Sequence, residues 1–108
     1  MNTMLIARYT VHQWDTEPES SRFKAEIQFT DNSILMVKDY IFPTGRKYAY
    51  HWQDNKGNLI VRWDNAPHWR GVNTFPYHWH EGEDVFPSAV MTLAEVIKSI
   101  SIRLKIRD

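Results

Sequence analysis

Apolar and polar residues alternate with a period of two through much of the first 64 residues. Such alternation is typical of strands that bury one face and expose the other. In residues 22–29 the apolar side chains occupy every second position. Leu5, Ala7, Tyr9 and Val11 follow the same pattern and are expected to share the apolar face of the first strand.

Short polar turns separate the alternating segments. Asp31-Asn32-Ser33, Pro43-Thr44-Gly45 and Asp54-Asn55-Lys56-Gly57 contain residues that tolerate left-handed backbone or form local hydrogen bonds. Strands joined by such short turns pair with opposite directions, so the sequence predicts an antiparallel meander of about five strands. The strands are expected near residues 5–12, 22–29, 34–42, 47–53 and 58–64.

The C-terminal region changes to helical spacing. Thr92-Leu-Ala-Glu95 has the form of a capping box, in which the threonine and glutamate satisfy backbone N–H groups of the first turn. Apolar residues then recur at three- and four-residue intervals, so a helix packed on one sheet face is expected. The chain of 108 residues is thus predicted to form one α+β domain over residues 1–108. Residues 100–108 also alternate with a period of two, which leaves a final strand open as an alternative.

Composition excludes several classes of site. The chain has no cysteine, which removes disulfides, thiolate catalysis and cysteine-ligated zinc. No segment approaches the roughly 20 apolar residues needed to cross a bilayer. Residues 1–6 lack the basic region and long apolar run of a secretory signal, so a cytoplasmic protein without membrane partners is expected. Thirteen basic residues balance thirteen acidic ones, so net charge does not predict a nucleic-acid partner.

Groups that can carry chemistry are concentrated between Arg62 and His80. The sequence predicts a long loop here, and such loops in small domains are usually functional or disordered. This one is too rich in aromatic residues to be disordered. His78 and His80 are two residues apart, so in extended backbone their side chains point to the same side.

One hypothesis for this segment is a metal site. His68, His78 and His80 with Asp64 form a plausible ligand set for zinc or manganese in a hydrolase or nuclease. The spacing matches no compact metal motif, so a metal-free site is preferred.

A second hypothesis is metal-free cleavage of RNA. Histidines at positions 68, 78 and 80 would transfer protons, and Asp64 would orient one of them. Arg62 would stabilise the phosphate charge. The expected substrate-binding residues, which offer hydrogen bonds, positive charge or aromatic rings to RNA, are Asn65, Trp69, Arg70, Tyr77 and Trp79.

A third hypothesis is a non-enzymatic module whose aromatic loop docks a protein partner, because aromatic residues and arginine are enriched at interaction hot spots. The aromatic face formed by Tyr48, Tyr50 and Trp52 is interpreted as packing. His51 lies on the opposite face of that strand and is a weaker candidate for the site.

Three segments of the chain resemble the TumE family of small bacterial and archaeal toxins of toxin–antitoxin systems. They are Tyr48-Ala-Tyr-His-Trp-Gln53, Leu59-Ile-Val-Arg-Trp-Asp-Asn-Ala-Pro-His68 and Thr74-Phe-Pro-Tyr-His-Trp-His80. The resemblance covers roughly residues 22 to 100. The Asp-Asn-Ala-Pro-His string is its most specific part.

The resemblance implies a type II toxin with a cognate antitoxin, often a helix-turn-helix protein, and it leaves the target and a possible homodimer open. It places Arg62, Asp64, Asn65, His68, His78 and His80 at motif positions. The chain departs from the family pattern in three places. Trp69 replaces a second histidine, Tyr77 replaces a histidine, and Trp79 replaces a lysine. With the resemblance, a toxin that is an endoribonuclease becomes the leading hypothesis.

Overall fold

The computed structural model describes residues 5–107 and shows one antiparallel sheet followed by a helix. Each strand pairs with its neighbour in the sequence, so the predicted meander is confirmed. Met1–Met4, which belong to the segment considered as a secretory signal, lie outside the described residues, as does Asp108. The elements are β1 (Ile6–Glu17), β2 (Ser20–Phe29), β3 (Ile34–Phe42), β4 (Gly45–Gln53), β5 (Leu59–Asp64), β6 (His78–Glu81), β7 (Asp84–Pro87) and α1 (Leu93–Arg107).

The sheet has seven strands, so the prediction of about five was wrong. The two additional strands are β6 and β7, which form a hairpin at the end of the predicted loop. Each has only four residues, too few for alternation to distinguish a strand from a loop. Gly82 makes the connection possible because its φ of 61° lies in the left-handed region that favours glycine.

One face of the sheet packs against α1 and forms the core. Tyr48, Tyr50 and Trp52 of β4 are at most 1% exposed, which confirms their interpretation as packing. The helix, the one helix within residues 5–107, is too short and too polar to cross a membrane. The core contains side chains of β2 to β5 and of the helix: Ala25, Ile27, Phe29, Leu35, Val37, Tyr48, Tyr50, Trp52, Val61, Trp63, Val96, Ile97, Ile100 and Leu104.

The alternative of a strand at residues 100–108 is resolved in favour of a helix as far as Arg107. Ile100 and Leu104 are buried, whereas Ile102 is half exposed. Residues four apart share a helix face, so this burial pattern follows the helical period. Of the alternating polar residues, Ser101 is buried and Lys105 is exposed, which also fits a helix rather than a strand.

The threonine half of the predicted capping box is present at the start of α1. The Thr92 hydroxyl accepts a hydrogen bond from the Glu95 backbone N–H at 3.3 Å and donates one to the Glu95 carboxylate at 3.1 Å. Thr92→Ala removes both bonds, and we expect it to lower the free energy of unfolding by about 1 kcal/mol. Urea denaturation monitored by circular dichroism measures this change. Thr92→Ser keeps the hydroxyl and should stay within a few tenths of wild type, and an equal loss in both variants would contradict the capping role.

The edge strand β1 departs from the sequence prediction, because Ala7, Tyr9 and Val11 are exposed rather than buried. The reason is that the sheet is wider than the single helix that covers it. Seven strands span about 29 Å at a spacing of about 4.8 Å, whereas one helix covers only about 10–12 Å. The helix lies against the central strands, so β1 keeps Tyr9 and Trp14 about 70% exposed on its surface.

Candidate functional site

The candidate site lies on the sheet face opposite to α1. In β5, Val61 and Trp63 point into the core. Since successive side chains of a strand alternate between faces, Arg62 and Asp64 point to the other face. The same alternation in β4 places His51 on that face, because Trp52 is in the core.

Strand register brings these residues together with two histidines of β6. Arg62 of β5 pairs with His80 of β6 and with His51 of β4. Asp64 pairs with His78. Directly paired residues on one face have neighbouring side chains, so four candidate residues from distant parts of the predicted loop meet at one place. We refer to Arg62, Asp64, His78 and His80 as the Asp64 cluster.

The Asp64 carboxylate, only 5% exposed, is the centre of the cluster. Its Oδ2 accepts a hydrogen bond from Arg62 Nε at 2.9 Å, and its Oδ1 accepts one from the Ala66 backbone N–H at 3.0 Å. His78 Nε2 lies 2.8 Å from Oδ1, and His80 Nε2 lies 3.6 Å from Oδ2. Two imidazoles and a guanidinium therefore converge on one buried carboxylate.

His78 is held by a second contact. Its Nδ1 lies 2.8 Å from the Pro76 carbonyl oxygen. A carbonyl can only accept, so Nδ1 carries the proton and donates it. The Nε2 atom, although 2.8 Å from Asp64, makes no hydrogen bond, because a proton on that nitrogen would not point at the oxygen. The ring is thus fixed in orientation, with a buried nitrogen that faces a carboxylate and has no hydrogen-bond partner.

His80 is the more accessible histidine of the cluster, with a side chain that is 20% exposed. Desolvation by burial lowers its pKa below the ordinary histidine value; the carboxylate of Asp64 opposes this effect, and the positive charge of Arg62 adds to it. A lowered pKa favours the neutral ring at physiological pH. A neutral imidazole can accept a proton or coordinate a cation.

His51 is a neighbour of the cluster that sequence reasoning ranked too low. Arg62 Nη1 lies 3.2 Å from His51 Nδ1. The guanidinium only donates, so Nδ1 accepts and the neutral His51 ring carries its proton on Nε2. Desolvation, then the charge of Arg62, lowers the pKa of His51. The available signal was the alternation itself, which places His51 and Arg62 on one face of neighbouring strands.

The loop of residues 65–77 returns over the cluster. The Trp69 ring lies 5.7 Å from the His80 ring and 6.4 Å from the His78 ring, measured between centroids, although Trp69 itself is 45% exposed. The loop is tied down by Thr74, whose hydroxyl donates to the Tyr77 carbonyl and accepts from the Ser88 N–H. Trp69 therefore forms an aromatic rim at the entrance to the cluster.

Five other predicted site residues lie elsewhere. His68 and Arg70 are exposed in the loop, and His68 does not belong to the group of converging donor atoms. Asn65, which directly follows β5, ties the start of the loop to β4, because its side chain accepts from the Tyr48 N–H and donates to the Arg46 carbonyl.

Tyr77 and Trp79 pack against the core. Trp79 stacks on Phe86 at 4.3 Å, and Tyr77 stacks on Tyr48 at 6.5 Å. Since Trp79 alternates with His78 and His80 in β6, its ring is on the helix side of the sheet. These two aromatic residues are thus separated from the cluster by the sheet.

Three side chains of the Asp64 cluster offer atoms that could ligate a metal. One ligand atom each from Asp64, His78 and His80 lies within 4.8 Å of the others. Of the four ligands considered from the sequence, Asp64, His78 and His80 belong to this group and His68 does not.

Comparison with known proteins identifies the family. The family model described as Toxin TumE matches residues 2–104, nearly the whole chain. Neither the curated proteins nor the solved structures include a significant match. The match includes every residue of the Asp64 cluster, and the chain belongs to the TumE toxin family.

Proposed function

We propose that this chain is the toxin of a toxin–antitoxin pair and that it acts as an endoribonuclease at the Asp64 cluster. Membership of a toxin family implies an antitoxin partner. The observation that carries the ribonuclease proposal is the convergence of Arg62, His78 and His80 on the buried Asp64, on a face that the helix leaves open.

Cleavage of a phosphodiester requires removal of a proton from the attacking hydroxyl, donation of a proton to the leaving oxygen, and positive charge beside the phosphorane. Arg62 meets the charge requirement, because its side chain is 39% exposed and its orientation is set by Asp64. His80 is neutral and partly exposed, so its ring can activate the attacking hydroxyl. The buried Asp64 carboxylate orients the side chains of the cluster that contact it.

A row of side chains leads from the cluster across the open face. Strand register aligns Asp64 with Ala49, then Lys38, then Lys24 on successive strands. Lys38 is about 10 Å from Asp64 at the usual strand spacing. The side chain of Ala49 is small, so the side chains on this sheet face project less between the lysines and the cluster.

This row fits a single-stranded RNA better than a small substrate. The Lys38 and Lys24 ammonium groups lie 4.9 and 5.9 Å from the centre of the Tyr40 ring. Tyr40 is half-buried, so part of its ring is accessible beside the two lysines. Positive charge next to an accessible aromatic ring is the combination that binds the backbone and bases of unpaired RNA. The lysine row would hold the strand while the Asp64 cluster acts on one phosphate.

We expect His80→Ala to reduce RNA cleavage by at least about 100-fold, the usual contribution of a positioned proton-transfer group. Growth arrest on induction should disappear with it. Because His80 is partly exposed and its ring makes no hydrogen bond that holds the strands, the fold should persist. Purified protein incubated with a mixed-sequence RNA, followed by gel electrophoresis, measures the cleavage.

His12→Ala is the matched control. His12 is exposed on β1 and its ring is 3.8 Å from Glu26, away from the cluster. The His12→Ala variant should cleave RNA at the wild-type rate. Wild-type toxicity in the folded His80→Ala variant would exclude the ribonuclease proposal, and so would intact RNA in cells arrested by the wild-type protein.

A second candidate function is a binding module that arrests growth by occupying a protein target. The observation in its favour is the exposed aromatic surface of the edge strand, where Tyr9 and Trp14 are about 70% exposed. This function predicts that Trp14→Ala abolishes growth arrest while His80→Ala retains it. The ribonuclease proposal predicts the reverse. A helix-turn-helix antitoxin and a homodimer remain part of the proposal, and copurification with size-exclusion chromatography tests both.

A further inference from the structure

The buried Nε2 atom of His78 lacks a hydrogen-bond partner within the described residues. The side chain is 1% exposed, and the atom is 2.8 Å from Asp64 Oδ1. Nδ1 donates to the Pro76 carbonyl, so whenever the ring carries a single proton its Nε2 lone pair faces the region of a carboxylate. Two electron-rich atoms at this distance repel each other unless positive charge lies beside both.

We infer that Asp64, His78 and His80 bind a divalent transition metal ion. The ion would satisfy the unpartnered Nε2 atom and neutralise the carboxylate. A hydrogen bond from Nδ1 to a backbone carbonyl is the usual outer-shell support of a metal-binding histidine, because it fixes the tautomer and the ring orientation. Metal binding does not depend on RNA being the substrate, so this inference goes beyond the proposed cleavage.

The carboxylate retains capacity for a metal. Each of its oxygens has two lone pairs. Arg62 Nε uses one on Oδ2 and the Ala66 N–H uses one on Oδ1, so one on each oxygen remains. Arg62 would then orient the carboxylate without binding the ion itself, as hydrogen-bond donors behind metal ligands commonly do.

The spacing of the donor atoms is slightly wider than a single ion requires, and a small rotation of one ring would close the difference. Two ligand atoms that are each about 2.1 Å from one ion lie at most about 4.2 Å apart. The three donors here lie within 4.8 Å of one another. His78 is held by its hydrogen bond to Pro76, whereas the partly exposed His80 can rotate by the small amount needed.

The donor chemistry selects the ion. Two imidazole nitrogens favour Zn²⁺ or Fe²⁺ over Mg²⁺ and Ca²⁺, which prefer oxygen ligands, and the carboxylate also allows Mn²⁺ to bind. Three protein ligands leave a position for water, which is the arrangement of catalytic rather than structural zinc. With an ion bound, His80 would be a ligand and could no longer accept a proton itself. The ion would lower the pKa of its bound water, and that water would then supply the base or nucleophile at neutral pH.

Titration of the purified, chelator-treated protein with Zn²⁺ or Mn²⁺ alone, in isothermal calorimetry without RNA, tests the inference. We expect one Zn²⁺ per chain. His80→Ala and Asp64→Asn should each weaken binding at least about 100-fold, since loss of outer-shell support alone costs 10–100-fold. His12→Ala should bind like wild type, and Mg²⁺ should bind far more weakly than Zn²⁺.

A measurement on the unsubstituted chain covers the case in which a variant fails to fold. Paramagnetic Mn²⁺ should broaden the ring resonances of His78 and His80 at concentrations that leave those of His12 sharp. Absence of Zn²⁺ and Mn²⁺ binding, equal affinity in the folded cluster variants, or equal broadening of all three histidines would overturn the inference. RNA cleavage is measured separately, with and without a chelator. If the protein binds metal but does not cleave RNA, only the ribonuclease proposal is refuted. If it cleaves RNA but binds no metal, only the metal site is refuted.

Discussion

Asp64→Asn is expected to abolish growth arrest and to reduce RNA cleavage by at least about 100-fold. The asparagine has the same shape but no charge. It also places an N–H₂ group where Oδ1 or Oδ2 now faces Arg62, His78 and His80. In one amide orientation this group faces the Arg62 donor, and in the other it faces the Ala66 N–H donor. The orientation of the whole cluster is therefore lost.

The variant should also be less stable, by about 1–3 kcal/mol, because hydrogen bonds to a charged group are weakened in a buried position. This cost is smaller than the 5–15 kcal/mol by which domains of this kind are usually stable, so the protein should remain folded. Cleavage is measured at a temperature where circular dichroism shows the native state. The loss of activity should greatly exceed any loss of folded protein.

Asp84→Asn is the matched control, since it removes one carboxylate from an exposed position at the start of β7. It should retain toxicity and cleavage. If Asp64→Asn arrests growth as wild type does, the Asp64 cluster is not the active centre.

Trp52→Ala is expected to lower the free energy of unfolding by about 3–5 kcal/mol. Trp52 is fully buried in β4, between Leu35 of β3 and Val61 of β5 in the strand register. Its indole Nε1 also donates to the buried Ser33 hydroxyl at 2.9 Å. Alanine leaves a cavity at the centre of the sheet and removes this bond, so a large part of the total stability is lost.

Urea denaturation followed by circular dichroism measures the change without relying on tryptophan fluorescence. Trp14→Ala is the matched control, since it deletes the same side chain from an exposed position, and it should cost less than about 1 kcal/mol. Trp52→Phe, which keeps most of the ring volume but loses the Ser33 bond, should fall between the two. Similar losses in Trp52→Ala and Trp14→Ala would contradict the placement of the core.

Part of the site was predictable because strand alternation is a local property. Arg62 and Asp64 are two residues apart, as are His78 and His80, so each pair shares a face whatever the rest of the chain does. The two pairs meet because β5 and β6 are hydrogen-bonded in a particular register, although residues 65–77 separate these strands in the sequence. No local pattern fixes the register across so long a connection.

The same limit explains the residues that were misplaced. His68 and Arg70 are close in sequence to the cluster residues, but the loop leaves both exposed and brings only Trp69 to the rim. His51 is distant in sequence, yet register places it beside Arg62. Tyr77 and Trp79 were expected to bind substrate, but they pack against the core on the helix side of the sheet. The pairing of β6 with β5 determines that side.

The sequence by itself determined the strand-forming alternation, the turns, the capped helix and the resemblance to the TumE family, because each rests on neighbouring residues or on short motifs. Only the tertiary structure decided the sixth and seventh strands, the exposure of β1 and the convergence of Arg62, His78 and His80 on Asp64. These features depend on the pairing of segments that are far apart in the chain. They depend also on the width that a single helix can cover, a property of the assembled layers rather than of any segment.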